Sequence, residues 1–341
     1  MLRMSFEEIT KVLEEKLVKY KCDPEQAKQV AFTMTENALE GVYSHGVNRF
    51  PVLIKDIIGG KVRPGKKPVL AAALGSLESY DGNRGLGIVN ALFAMDRAIE
   101  LAKQHGVAFV GLRNTSHWLR GATYGYRACQ AGMAAICSSN ALPGFPTWGS
   151  SEPRCGNNPV VFAFPRPDGD LVCDISMSQF SYGALEVALL DGRNMPVDAG
   201  YDQEGKLSRD PEAVLKTKRA LPMGYWKGAA LSHLLDVFTG VISLGNTTVA
   251  ISKLDGNVDV SQMFIAVNYR AIAPQEQSDK LLEETVDFII NSPKADPNVK
   301  IPNTNNEEII FTGQLARDKR KENIANGIPV HEEVWNEVLA L

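Results

Sequence analysis

Four side chains between positions 44 and 49 could together run a proton-coupled reaction on a small acid: Ser44, His45, Asn48 and Arg49. They lie inside the stretch Gly41–Pro51 and supply a hydroxyl, an imidazole, an amide and a guanidinium. Imidazole is the side chain best matched to moving a proton near neutral pH. Guanidinium suits a planar carboxylate, which it grips with two parallel hydrogen bonds. If a helix begins near Gly46, His45 and Arg49 fall four residues apart on one face. The plainer alternative is an N-cap serine and a surface arginine beside a packed histidine.

Other stretches offer chemistry at the ends of expected strands, where ligands collect in α/β sheets. His117 follows the apolar run Val107–Leu112 and is a second acid/base candidate; local hydrogen bonds covered by Trp118 would equally account for it. Asn140 and the segment Asp174-Ile175-Ser176 also fall at strand ends. Asp174 could bind ribose hydroxyls and Ser176 a phosphate or carboxamide, or each could cap a turn. Trp226-Lys227 sets a flat aromatic and a cation before a helix, suited to a ring and a pyrophosphate. The glycine-rich turn Gly82–Gly87 matches neither phosphate-loop pattern, so it is expected to be a packing turn, and an ordinary Rossmann domain is not supported. His105 and His331 are placed at helix ends, and His233 is expected to be packed among leucines.

These residues need elements to hold them. Ser5 to Glu8 forms a capping box before one helix, and Asp23-Pro24 opens a second. A third runs from Phe50 to Ile58 and stops at Gly59-Gly60. Then the pattern changes: a long helix ending at His105, strands near 107–112, 133–138, 159–164, 171–175 and 263–267, and helices near 124–131 and 227–244. Three helical patterns close the chain, near 279–290, 315–324 and 331–339. The reading is an α/β sheet flanked by helices from both chain ends. With 341 residues there is ample core. A net charge of −4 without a basic run argues against a nucleic-acid partner. Five scattered cysteines with no paired spacing suggest neither a disulfide framework nor a metal site. No apolar run reaches membrane-spanning length, and no signal-peptide core is present. A cytoplasmic protein with reduced thiols is the expectation.

Taken in order, Gly41–Pro51, Leu112-Arg113-Asn114, His117-Trp118, Phe180–Gly183 and Leu221–Gly228 resemble the type-2 malate/L-lactate dehydrogenase family, over nearly the whole chain. The resemblance implies a non-Rossmann fold, with a mixed-sheet nucleotide-binding domain (77–304) flanked by a helical domain from both termini (1–76 with 305–341). It implies a homodimer that transfers a hydride from NADH or NADPH to a small 2-oxo acid, the diketogulonate-reducing branch being the nearest likeness. In that branch His45 would be the proton donor; ureidoglycolate-type members use the histidine matching His117. Arg49 would take the carboxylate, with Ser44 and Asn48 assisting. The family's cofactor segments match Asp170, Leu171, Val172, Cys173, Asp174, Ile175 and Ser176, then Trp226-Lys227, then Thr312-Gly313-Gln314, with Asn140 nearby. Gln314 stands where relatives often carry a carboxylate, which bears on the choice between NADH and NADPH. Malate, lactate, sulfolactate or ureidoglycolate as substrate, or dinucleotide binding without turnover, are the alternatives.

Overall fold

The chain opens with a short strand β1 (Leu2–Met4) and two helices, α1 (Phe6–Lys19) and α2 (Pro24–Leu39). Both helices start where the sequence predicts. The Ser5 hydroxyl accepts from the Glu8 N–H while the Glu8 carboxylate takes the Ser5 N–H, and Asp23 caps a helix whose first residue is Pro24. Two single-turn helices, Tyr43–His45 and Val47–Arg49, lead into α3 (Phe50–Ile58). The chain then runs through β2 (Val69–Leu74), β3 (Leu77–Asp81), α4 (Gly87–His105), β4 (Val107–Thr115), α5 (Ala122–Gln130) and β5 (Ala134–Ser139). A β6–β7 hairpin (Pro143–Pro146, Pro153–Gly156) precedes β8 (Val160–Phe164) and β9 (Leu171–Ile175). Next come α6 (Tyr182–Leu190), a small hairpin β10 (Gly200–Tyr201) and β11 (Leu207–Ser208), α7 (Pro211–Thr217), α8 (Trp226–Ile242), α9 (Thr248–Ile251) and β12 (Val260–Val267). The last elements are α10 (Gln275–Ile290), α11 (Gln314–Asn326), β13 (Ile328–Val330) and α12 (Glu332–Ala340). This computed structural model describes residues 1–254, 256, 258–294 and 309–341.

Seven strands form one mixed sheet in the order β2-β3-β4-β12-β5-β8-β9. Only β3 and β4 pair in parallel; every other neighbouring pair is antiparallel. It follows that β3, β4, β5 and β9 all point the same way. Their C-terminal ends therefore open at one edge, where the residues after Thr115, Ser139 and Ile175 come together. The sheet is α/β and mixed, as expected, and lacks doubly wound order. The expected boundary at 76/77 cuts the β2–β3 hairpin, so residues 69–74 belong to the sheet. Their alanine-rich run hides any alternation, and Gly75, at φ +58°, folds it back on β3. The other boundary, at 304/305, lies outside the described residues.

Three packed clusters hold the layers. One buries α4 and α5 against the sheet around Trp118, Tyr124 and Phe264, whose rings meet at 5.3–5.7 Å. A second joins Leu13, Met34 and Phe50 near the start of the chain to Ile328, Trp335 and Val338 near the end. The third lies on the opposite side of the sheet beneath α6–α8, around Leu185, Val214 and Met263.

The turn Gly82–Gly87 is a packing device, as the sequence suggests. A Cβ on Gly87 would overlap the His117 carbonyl oxygen and lie 2.5 Å from that of Ser116. The absence of a side chain lets α4 start directly under the loop that carries His117. Ser116 pins the same loop by donating to the Gly85 carbonyl at 3.0 Å. Gly87→Ala is therefore expected to lower the unfolding free energy by about 1–3 kcal/mol through overpacking, and to depress activity by moving His117. Urea denaturation alongside a turnover assay checks both.

Candidate active site

His45 reaches the site from the helical layer. After α2 the chain turns at Gly41, φ +82°, and the Val42 N–H bonds the Asn37 carbonyl. A helix from Gly46 does not form. Gly46 sits at φ −104°, ψ −133°, a break between the two single-turn helices, and α3 begins only at Phe50, with Pro51 in its first turn. His45 and Arg49 thus do not share a helix face. Gly46 is needed for close approach, because a Cβ there would meet that of Ala38 at 2.8 Å. Ser44 Oγ lies 3.0 Å from His45 Nδ1. Gly183 lets the start of α6 close on Ser44, its Cβ position falling 2.7 Å from that of Ser44.

The facing wall comes from the sheet edge. His117 follows β4, and its Nδ1 accepts the Leu119 N–H at 3.0 Å, so the neutral ring carries its proton on Nε2. Trp118 turns the other way into the core. The two imidazoles stack with centroids 5.7 Å apart and planes 18° from parallel. Both line a cleft of about 540 Å³, together with Arg120, Asn140, Asp174 and Ser176. Asp174 is open to the cleft but walled in by protein. Its Oδ2 accepts the Ala122 N–H at 2.8 Å, at the start of α5. Burial raises its carboxyl above the usual range, against the pull of that bond and of Arg120.

Burial and two cations govern the imidazoles. Loss of hydration, then the charges of Arg49 and Arg120, bring His45 down to about 4. Burial, the neighbouring His45 and Arg49 hold His117 well below its ordinary value. Both rings are therefore neutral at pH 7 in the free protein. Arg120 is buried; its guanidinium pairs with Glu40, which also receives Arg320 at 3.0 Å. Arg49 has no ion-pair partner among the described residues.

Of the residues singled out in the sequence, Ser44, His45, His117, Asn140, Val172, Asp174, Ile175, Ser176 and Gly313 line this cleft. Asn140 does so with its amide already committed, donating to Asp236 and the Asn246 carbonyl and accepting from the Ser261 N–H. Asn48, Arg49, Asp170, Leu171, Cys173 and Thr312 are not among the lining residues, although Thr312 ties the late loop to β9 by donating to the Val172 carbonyl at 2.9 Å. Gln314 faces a separate groove with Phe311 and Arg317. Trp226 and Lys227 are exposed at the start of α8, outside the cleft, while Met223 just before them lines it. His233 is exposed and lies 3.0 Å from Cys155 Sγ, not packed among leucines. Sequence reasoning missed Arg120. Its only signal was a charge between apolar Leu119 and Gly121, three residues after His117.

A family model described as malate/L-lactate dehydrogenase matches residues 4–339. The chain is 40% identical over 342 residues to the 2,3-diketo-L-gulonate reductase of Haemophilus influenzae, covering all of both chains. It is 38% identical to the protein of the same name in Klebsiella pneumoniae, again over the whole of both. Sulfolactate dehydrogenase from Methanocaldococcus jannaschii superposes with a TM-score of 0.88 at 25% identity, over 99% of this chain and 95% of that one. Malate dehydrogenase from Entamoeba histolytica has the same fold, with a TM-score of 0.91 at 24% identity, over 99% and 96%.

The depressed imidazoles have a consequence for stability. Between about pH 6.5 and about pH 4 an unfolded His45 takes up a proton that the folded one refuses. The unfolding free energy should fall as the pH drops through that window. Urea denaturation at stepped pH should show a shallower fall for His45→Gln than for the wild type.

Proposed function

The chain belongs to the malate/L-lactate dehydrogenase family, and from that premise we propose that it reduces a small 2-oxo acid with NADH. The substrate we assign is 2,3-diketo-L-gulonate, giving 3-dehydro-L-gulonate. The observation that carries the reading is the stacked His45–His117 pair in a cleft that feels the charges of Arg49 and Arg120, in a chain 40% identical throughout to a reductase of that substrate.

The residues present fit a nicotinamide dinucleotide. The N-cap of α11, Gly313, makes no side-chain cap, and Gly313, Leu315 and Ala316 of its first turn line the cleft, a helix N-terminus of the kind that favours phosphate. Gly313, at φ +92°, presses against β9, where a Cβ would lie 2.8 Å from the Asp170 carbonyl oxygen. We assign the segment Asp170–Ser176 and the loop Thr312–Gln314 to the cofactor, with Trp226 and Lys227 at its outer part. When bound, the nicotinamide supplies the hydride.

The protein's part is to grip the acid and manage one proton. Arg49, with no carboxylate partner among the described residues, reaches from outside the cleft lining to take the substrate carboxylate, with Ser44 and Asn48 assisting. Burial is the larger cause of the low His45 pKa and the two guanidiniums add to it, so an anion beside Arg49 offsets the charge part and eases protonation. His45 then gives that proton to the carbonyl oxygen as it becomes an alkoxide, with Ser44 steadying Nδ1. His117, its Nδ1 occupied by Leu119, orients the same oxygen through Nε2.

We also infer a homodimer. Leu231, Leu234, Phe238 and Val241 form an apolar stripe along α8 that is 40–68% exposed in one chain. Sedimentation should give twice the chain's mass, and Leu234→Asp should halve it. All five cysteines are free, and no helix among the described residues is long and apolar enough to cross a membrane. A cytoplasmic location is the reading we favour.

Loss of NADH absorbance with 2,3-diketo-L-gulonate, beside pyruvate, oxaloacetate and the NADPH equivalents, tests the assignment. Oxidation confined to a simpler 2-oxo acid would replace the substrate and keep the mechanism. His45→Ala should lower kcat by about 10²–10⁴-fold with little change in NADH affinity. Arg49→Lys should raise the substrate KM sharply, since a point charge cannot reproduce the fork. If His117→Ala rather than His45→Ala abolishes turnover, the proton donor is His117.

A further inference from the structure

Asn37, buried in the last turn of α2, uses both ends of its side-chain amide. Its Nδ2 donates to the His45 carbonyl at 3.0 Å, and its Oδ1 accepts from Thr123 Oγ1 at 3.1 Å. Thr123 is the second residue of α5, and Ala122 before it donates its N–H to Asp174 at 2.8 Å. One line of contacts therefore runs from His45 on the helical wall, through Asn37 and Thr123, to Asp174 on the sheet wall.

His45 needs such a tie. It sits in a single-turn helix between Gly41 and Gly46, with no regular ladder to fix it. We propose that Asn37, acting through Thr123, is a positioning residue that sets His45 against the sheet wall at the spacing the reaction requires. The proposal rests on the reading of His45 as proton donor.

The tie is neutral, which makes it readable. A second link across the same gap, Glu40 to Arg120, carries charge and takes part in depressing His45. Removing the Asn37–Thr123 bond leaves that field in place, so its loss acts on geometry alone. Small misplacements of a catalytic group cost rate far more than binding.

The test is a double-mutant cycle of Asn37→Ala and Thr123→Val, with Thr123→Ser as the conservative variant and thermal melts of each. Each disruptive change should lower kcat by about tenfold to a hundredfold with NADH affinity within about twofold, and the double variant should be no worse than the worse single one. The pH profile should keep its midpoint, and Thr123→Ser should behave like the wild type. Wild-type turnover in Thr123→Val, losses that add independently, or NADH binding that falls in step with kcat would overturn the proposal. A second readout does not depend on turnover. In protein with carbon-labelled histidine, the His45 ring signal, identified by its loss in His45→Gln, should move in Thr123→Val. An unmoved signal overturns the tie even if the wild type reduces no 2-oxo acid, an outcome that by itself would sink only the functional reading.

Discussion

Two imidazoles stacked 5.7 Å apart in a cleft that also feels Arg49 and Arg120 cannot readily both carry a proton, and much of the structure serves that constraint. The free site is biased positive yet holds no acidic proton at neutral pH. Such a field suits an anionic ligand. Glu40 and Arg320 keep Arg120 in place, so its share of the field on His45 comes from a fixed network.

The two rings come from different layers, and close backbone approach lets them meet. The shared direction of β4, β5 and β9 gathers His117, Asn140 and Ser176 at one edge. Gly46, Gly87 and Gly183 then admit Ala38, the 116–117 loop and Ser44 to distances no side chain would allow. Gly46 acts within the helical layer, against α2, whereas Gly87 and Gly183 act where elements distant in sequence meet.

What could be seen in advance follows from range. Helix starts at Ser5 and Asp23 were legible because a cap is a local event, decided within four residues. The strands from Val107 to Ile175 were legible as apolar runs, although β8 and β9 each expose a residue, Phe162 and Asp174. The break at Gly46 was not, since a helix from 46 and a turn followed by Pro51 fit the same residues; packing on Ala38 decides between them. Arg120 escaped because its importance lies in Glu40, eighty positions earlier, and in the cleft it faces. The motif residues Ser44, His45 and His117 were visible by type, whereas their stacking belongs to the tertiary fold. A shared helical face for His45 and Arg49 needed a helix from Gly46, and the backbone breaks there instead.

The wall that carries His45 is finished by the far end of the sequence. Asn323 of α11 donates to the Leu39 carbonyl at 2.8 Å, closing the end of α2 just before the motif, and β13 pairs with β1. Trp335 and Val338 fill the core under the first helices. On the ribosome, the candidate site residues near position 45 emerge early and wait some 280 positions for the ones that fix their wall in place. A nascent chain exposes the apolar faces of α1–α3 for most of its synthesis, so this protein should lean on chaperones during translation more than its size alone suggests. The same arrangement keeps the site unformed until nearly the whole chain is present.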